Sequence, residues 1–71
     1  MLIVNQAGDR IYNVDHIKEI VLDKGAIYIG DSDKMLKQIY FEQLIPARVI
    51  FEAIIEAAAT GATLIRLDKN I

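Results

Sequence analysis

Turn-forming residues recur every six to ten positions along the first forty residues, and that spacing leaves room only for short strands. "LIVNQ" (2–6) is rich in apolar and β-branched residues and reads as a first strand. "AGD" (7–9) is a turn, and "RIYNV" (10–14) completes a hairpin. Asp15 breaks the run, its side chain accepting from the backbone two residues on in an Asx-type turn through "DHI". "IKEIVL" (17–22) is a third strand and "AIYIG" (26–30) a fourth. The turn between them, "DKG", needs a left-handed residue that Gly25 supplies. "DSDK" (31–34) is a polar turn before a fifth strand, "MLKQIYF" (35–41). The expectation is one antiparallel meander of about five strands.

A helix follows over about 44–59, with Gln43 as its cap, Pro46 in its first turn and Gly61 just past its end. "TLIRL" (63–67) alternates like a short last strand. Strands followed by a helix predict an α+β fold, one domain over residues 1–71, with the helix across one face of the sheet. At about 100° per residue, Arg48, Glu52 and Glu56 fall in one narrow stripe assigned to water. Ala47, Ile50, Phe51, Ile54, Ala57 and Ala58 lie opposite and should face the sheet. Val49 and Ile55 lie beyond the two sides of the stripe, with Leu44 beside Ile55. One sheet covers a stripe little wider than about 100°, so Leu44, Val49 and Ile55 are expected to form an interface with another copy or a partner.

Composition supports that reading. A chain of 71 residues buries only about 60% of its unfolded surface, and small domains need disulfides, a metal or oligomerisation. There is no cysteine and one histidine, His16, which excludes disulfides and histidine-rich metal sites. Self-association is what remains, and 54% hydrophobic residues fit it. The net charge of −2 comes without any basic stripe, so no direct nucleic-acid partner is expected. "MLIVNQ" has no basic n-region, which argues against a signal peptide, and Arg48, Glu52 and Glu56 interrupt the apolar stretch near the C-terminus, so no membrane partner is expected either. The simplest location is a reducing cytoplasm.

"MLIVNQAGDRIYNVDHIKEI" resembles the opening of small proteins of Gram-positive bacteria and their phages and mobile elements. These begin with β-formers, "VNQ", a turn, a short strand and an Asn-hydrophobic-Asp-x-Ile step. Ile3, Val4, Asn5, Gln6, Ile11, Asn13, Asp15 and Ile17 carry the likeness, and "AIIEAAATG" (53–61) is similar to their helix end. Their helix starts tend to be charged, whereas this chain has Leu44, Ile45 and Pro46. The family has no established activity, so the resemblance implies no catalytic residues. A weaker likeness is to the strand–turn–strand layout of small flagellar FlbD-type proteins.

Candidate chemistry is sparse. Asp31 and Asp33 are spaced like calcium ligands, but the sixth position of such a loop is Leu36, and only Glu42, at the twelfth, fits. A solvated turn is the expectation, and no cofactor is implied. Asp15–His16 lacks a nucleophile and reads as a turn with an exposed imidazole. Tyr12, Tyr28 and Tyr40 sit on different strands and would stack a planar ligand only if they shared a face. The expected function is a non-enzymatic protein-interaction module. It is expected to be a homo-oligomer and, given the resemblance, a phage or mobile-element factor that blocks a host defence protein. The alternatives are an oligomeric binder of a small nucleotide signal and a structural component of a larger particle. A chelator is expected to leave the melting temperature unchanged; a clear drop would revive the Asp31/Asp33 site.

Overall fold

A three-residue strand needs help to hold its register, and the first one gets it from the asparagine that follows. Strand β1 (Leu2–Val4) pairs antiparallel with β2 (Ile11–Asn13), Leu2 opposite Asn13 and Val4 opposite Ile11. The buried Asn5 closes the hairpin. Its Oδ1 accepts the backbone N–H groups of Gly8, Asp9 and Arg10 at 3.0, 3.1 and 3.2 Å, and its Nδ2 donates to Asp9 Oδ1 at 2.9 Å. One side chain therefore satisfies three turn donors that have no ladder partner, which is what a buried amide must do to offset its desolvation. The computed structural model describes residues 1–30 and 36–69 of the chain.

The single meander divides into two three-stranded sheets. After β2, the Asn13 side chain accepts the Asp15 N–H at 3.0 Å and winds Val14–His16 into one 3-10 turn. The Asx turn thus belongs to Asn13, two residues earlier than expected, and it carries the chain away from β2 before β3 begins. Strand β3 (Glu19–Asp23) pairs instead with β4 (Ala26–Gly30), and β4 with β5 (Leu36–Phe41). Strand β6 (Leu64–Arg66) returns to lie parallel to β1, giving the orders β2-β1-β6 and β3-β4-β5. The fold is mixed α+β, and only the second sheet is a meander.

The sheets are joined at a bulge. Ile27 is opposite Tyr40 and Tyr28 opposite Gln38, so Ile39 is an extra residue in β5. That extra residue explains why Ile39 and Tyr40, consecutive in a strand, are both buried. The Ile39 carbonyl accepts the Gln6 N–H at 2.9 Å. The Gln6 side chain accepts from Phe41 N–H at 2.9 Å and donates to Phe41 O at 3.0 Å. Gln6 thereby pairs with the edge of β5 as a strand residue would.

Helix α1 (Ala47–Ala59) begins three residues later than the sequence predicts. Proline disfavours helical backbone in the residue before it, so Ile45 cannot be helical and Pro46 stands just outside the first turn. The N-cap residue is Pro46 rather than Gln43, and the first helical N–H, of Ala47, is met from further back by Glu42 Oε1 at 2.9 Å. Ala47, Ile50 and Ile54 are buried, while Phe51 and Ala57 are half-buried. Ala58, expected to face the sheet, is exposed. Arg48, Glu52 and Glu56 are exposed as expected, and Arg48 lies 3.7 Å from Glu52. The helix packs over β3 and β4, closing a core of Ile3, Ile27, Ile29, Ile39, Tyr40, Ile50, Ile54, Ile65 and Leu67.

The β3–β4 turn has two residues, Lys24 and Gly25, at φ of 50° and 78°, the signature of a type I′ hairpin. A Cβ on Gly25 would sit 2.9 Å from the Glu42 carboxyl carbon. Gly25→Val therefore strains the turn and displaces the helix cap together. The expected loss is about 2–4 kcal/mol, combining left-handed strain with a lost cap, read by denaturant unfolding. A loss no larger than for Lys24→Ala would show that turn and cap are not coupled.

Candidate functional site

Strand alternation sorts the first sheet into two faces. Ile3, Tyr12 and Ile65 are aligned across the three strands and pack on the core. Leu2, Val4, Ile11 and Leu64 point the other way, because "LIV" in β1 has no polar member to offer solvent. Leu2, Ile11 and Leu64 are 40%, 64% and 47% exposed, and Val4 is closed over by its neighbours. They line a shallow depression of about 420 Å³ together with Gly8, Asp9, Arg10 and Arg66. Arg66 donates to Asp68 through Nε at 3.2 Å and Nη2 at 3.0 Å. That hydrogen bonding holds the Asp68 carboxyl below the usual carboxylate range. Asp9, Arg10 and Arg66 line the depression, and Asp68 pairs with Arg66, so the charges there are of both signs.

The interface residues read from the sequence are all exposed: Leu44 at 95%, Val49 at 55% and Ile55 at 49%. They do not make one surface. Six residues apart on a helix, Val49 and Ile55 are separated by about 120°, and the Arg48–Glu52 pair lies between them. Leu44 stands in the connection before the helix. The exposed apolar residues of the β2-β1-β6 sheet are, by contrast, contiguous. The signal for them was a first strand apolar at every position, which marks a strand with cover on both faces. A further apolar group, Tyr28, Leu36 and Phe41, lies on the outer face of the second sheet.

The three tyrosines do not share a face. Tyr40 is in the core and donates its hydroxyl to Ile45 O at 2.6 Å. Burial, and then the Glu42 charge, push its pKa up. Tyr12 packs on the core from the first sheet, and Tyr28 faces away from Ile27 and Ile29 on β4. Asp15 and His16 are exposed on the 3-10 turn, and His16 lines a second cleft of about 220 Å³ with Tyr12, Ile17, Ile29 and Lys37. Asp31 and Asp33 lie outside the described residues. Among the described residues no helix is long and apolar enough to cross a membrane.

Comparison with known protein families, curated proteins and solved structures gives no match.

The raised Tyr40 pKa sets a direction for alkaline stability. The unfolded tyrosine ionises near pH 10 and the folded one later, so stability is whole below about pH 10 and falls as pH rises through the folded value. Tyr40→Phe should flatten that alkaline decline in melting temperature while costing about 1 kcal/mol at neutral pH for the lost hydrogen bond. An unchanged decline would assign it to other groups.

Proposed function

We propose that this protein is a non-catalytic interaction module that works as a homo-oligomer, its copies meeting through the outer face of the β2-β1-β6 sheet. The observation that supports this reading is the contiguous face of Leu2, Val4, Ile11 and Leu64, three of them exposed, on a sheet that no element among the described residues covers from outside. Packing two such faces about a twofold axis removes the same apolar patch on both copies from water. The mixed rim of Asp9, Arg10, Arg66 and Asp68 presents no net charge to a second copy. The chain is small enough that this cover adds materially to a core built from few residues.

Sedimentation equilibrium over a dilution series tests it. The expected result is a dimer or larger at micromolar concentration, with melting that rises with concentration. Leu64→Glu should dissociate it while the monomer stays folded, because Leu64 is half exposed before assembly. The paired change Val49→Glu with Ile55→Lys should leave assembly intact. An 8.0 kDa monomer at every concentration would refute self-association. Dissociation by the helix pair but not by Leu64→Glu would move the interface to the helix.

A further inference from the structure

The edge of β2 carries an inference separate from the outer face. Val14 donates to Met1 O at 2.9 Å, and Asn5 donates to Arg10 O at 3.1 Å. These bonds set the phase of the ladder: the even residues of β2 face β1, so the backbone N–H and C=O of Ile11 and Asn13 point outward. The Asn13 C=O is taken up by the 3-10 turn that starts from it, while among the described residues no hydrogen bond reaches the Ile11 N–H, the Ile11 C=O or the Asn13 N–H. The other edges are differently managed. Gln6 occupies part of the β5 edge, β3 is flanked by Lys18, Lys24 and the helix, and β6 carries the charged Arg66. Strand β2 has apolar Ile11 and Tyr12 and no charge between Ile11 and Asn13, which leaves its edge open to pairing.

A cleft runs along that same edge. All three β2 residues line it, together with His16, Ile17, Ile29 and Lys37. Its volume of about 220 Å³ is of the order of two amino-acid residues. Lys37 is opposite Ile29 on β4, so its side chain issues from the core-facing side of β5 at the cleft mouth. The cleft lies on the core-facing side of β2, so a chain paired along that edge would set alternate side chains into it.

We propose that the β2 edge binds an extended segment of a partner protein by strand addition. The segment pairs its backbone with Ile11 and Asn13, seats an apolar side chain against Tyr12, Ile17 and Ile29, and sets an acidic side chain toward Lys37. Main-chain bonds at a sheet edge supply affinity, and depressions for alternate side chains supply selectivity. The cation at the cleft mouth is what argues for an acidic residue in the segment.

A displayed library of random decapeptides, selected on the full chain, tests the site. The expected enrichment is an apolar residue with an acidic residue two positions away. Enriched synthetic peptide should shift the Ile11 and Asn13 amide resonances and slow their hydrogen exchange. Ile11→Pro removes one outward N–H and no bond to β1, since proline is tolerated where a strand N–H faces solvent. It should weaken binding by at least about tenfold, whereas Ile11→Ala, which keeps the N–H, should not. Lys37→Glu should redirect selection from acidic to basic residues, an outcome that does not depend on the proline variant folding. No enrichment, enriched peptides that leave Ile11 and Asn13 unperturbed, or a Lys37→Glu selection unchanged in charge would each overturn the proposal.

Discussion

Two adjacent amides, Asn5 and Gln6, hold the architecture together. Asn5 gathers three turn N–H groups onto one buried oxygen and so fixes where β2 begins. Gln6 takes the next step outward and binds the β5 edge through its own backbone and both ends of its side chain. A three-residue strand has too few ladder bonds to hold a register alone, and these side chains extend it by making bonds a longer strand would make. The bulge at Ile39 is the counterpart: it turns two consecutive residues inward and leaves a carbonyl for Gln6.

The residues behind the resemblance to small phage and mobile-element proteins therefore have structural work in this chain. Asn5 and Gln6 organise the first sheet and its junction, and Asn13 winds the 3-10 turn that separates the sheets. Ile3 is core, while Val4 and Ile11 lie on the outer face. Asn5, Gln6 and Asn13 hold backbone groups with their side chains, and the apolar members serve the core or the outer face of the first sheet. What distinguishes the chain on its surface lies elsewhere, in the apolar outer positions of the first sheet and the cleft beside β2.

A second dependency runs from turn to helix. Glu42 follows β5, takes a backbone bond to the Gly25 carbonyl at 2.9 Å, and caps the helix with its carboxylate. The space its side chain uses exists because residue 25 has no Cβ. A hairpin turn and a helix start thus share one side chain, so the entry angle of the helix over β3 and β4 depends on the hairpin being tight.

The short strands, the Gly25 turn, the helix with its charged stripe and its end at Gly61 were all legible in the chain, because each is decided by residues within one turn or one strand of each other. The sheet partition was not. It rests on Gln6 meeting Phe41 across 35 positions and on Leu2 bonding Thr63, and no local pattern encodes such pairings. The partner of the first helical N–H is not local either, since Gln43 and Glu42 have similar reach and only the approach of the turn selects Glu42. Apolar surplus was readable from composition, but its place was not: the helix offered Leu44, Val49 and Ile55, and the folded chain left them on separate surfaces while aligning Leu2, Val4, Ile11 and Leu64. The sequence by itself determined which segments become strand, turn and helix, because local sterics and hydrogen bonding decide that. The tertiary structure alone decided which strands are neighbours and which apolar side chains share a face, because strand pairing is a contact between distant residues and a register shift of one position turns every side chain over.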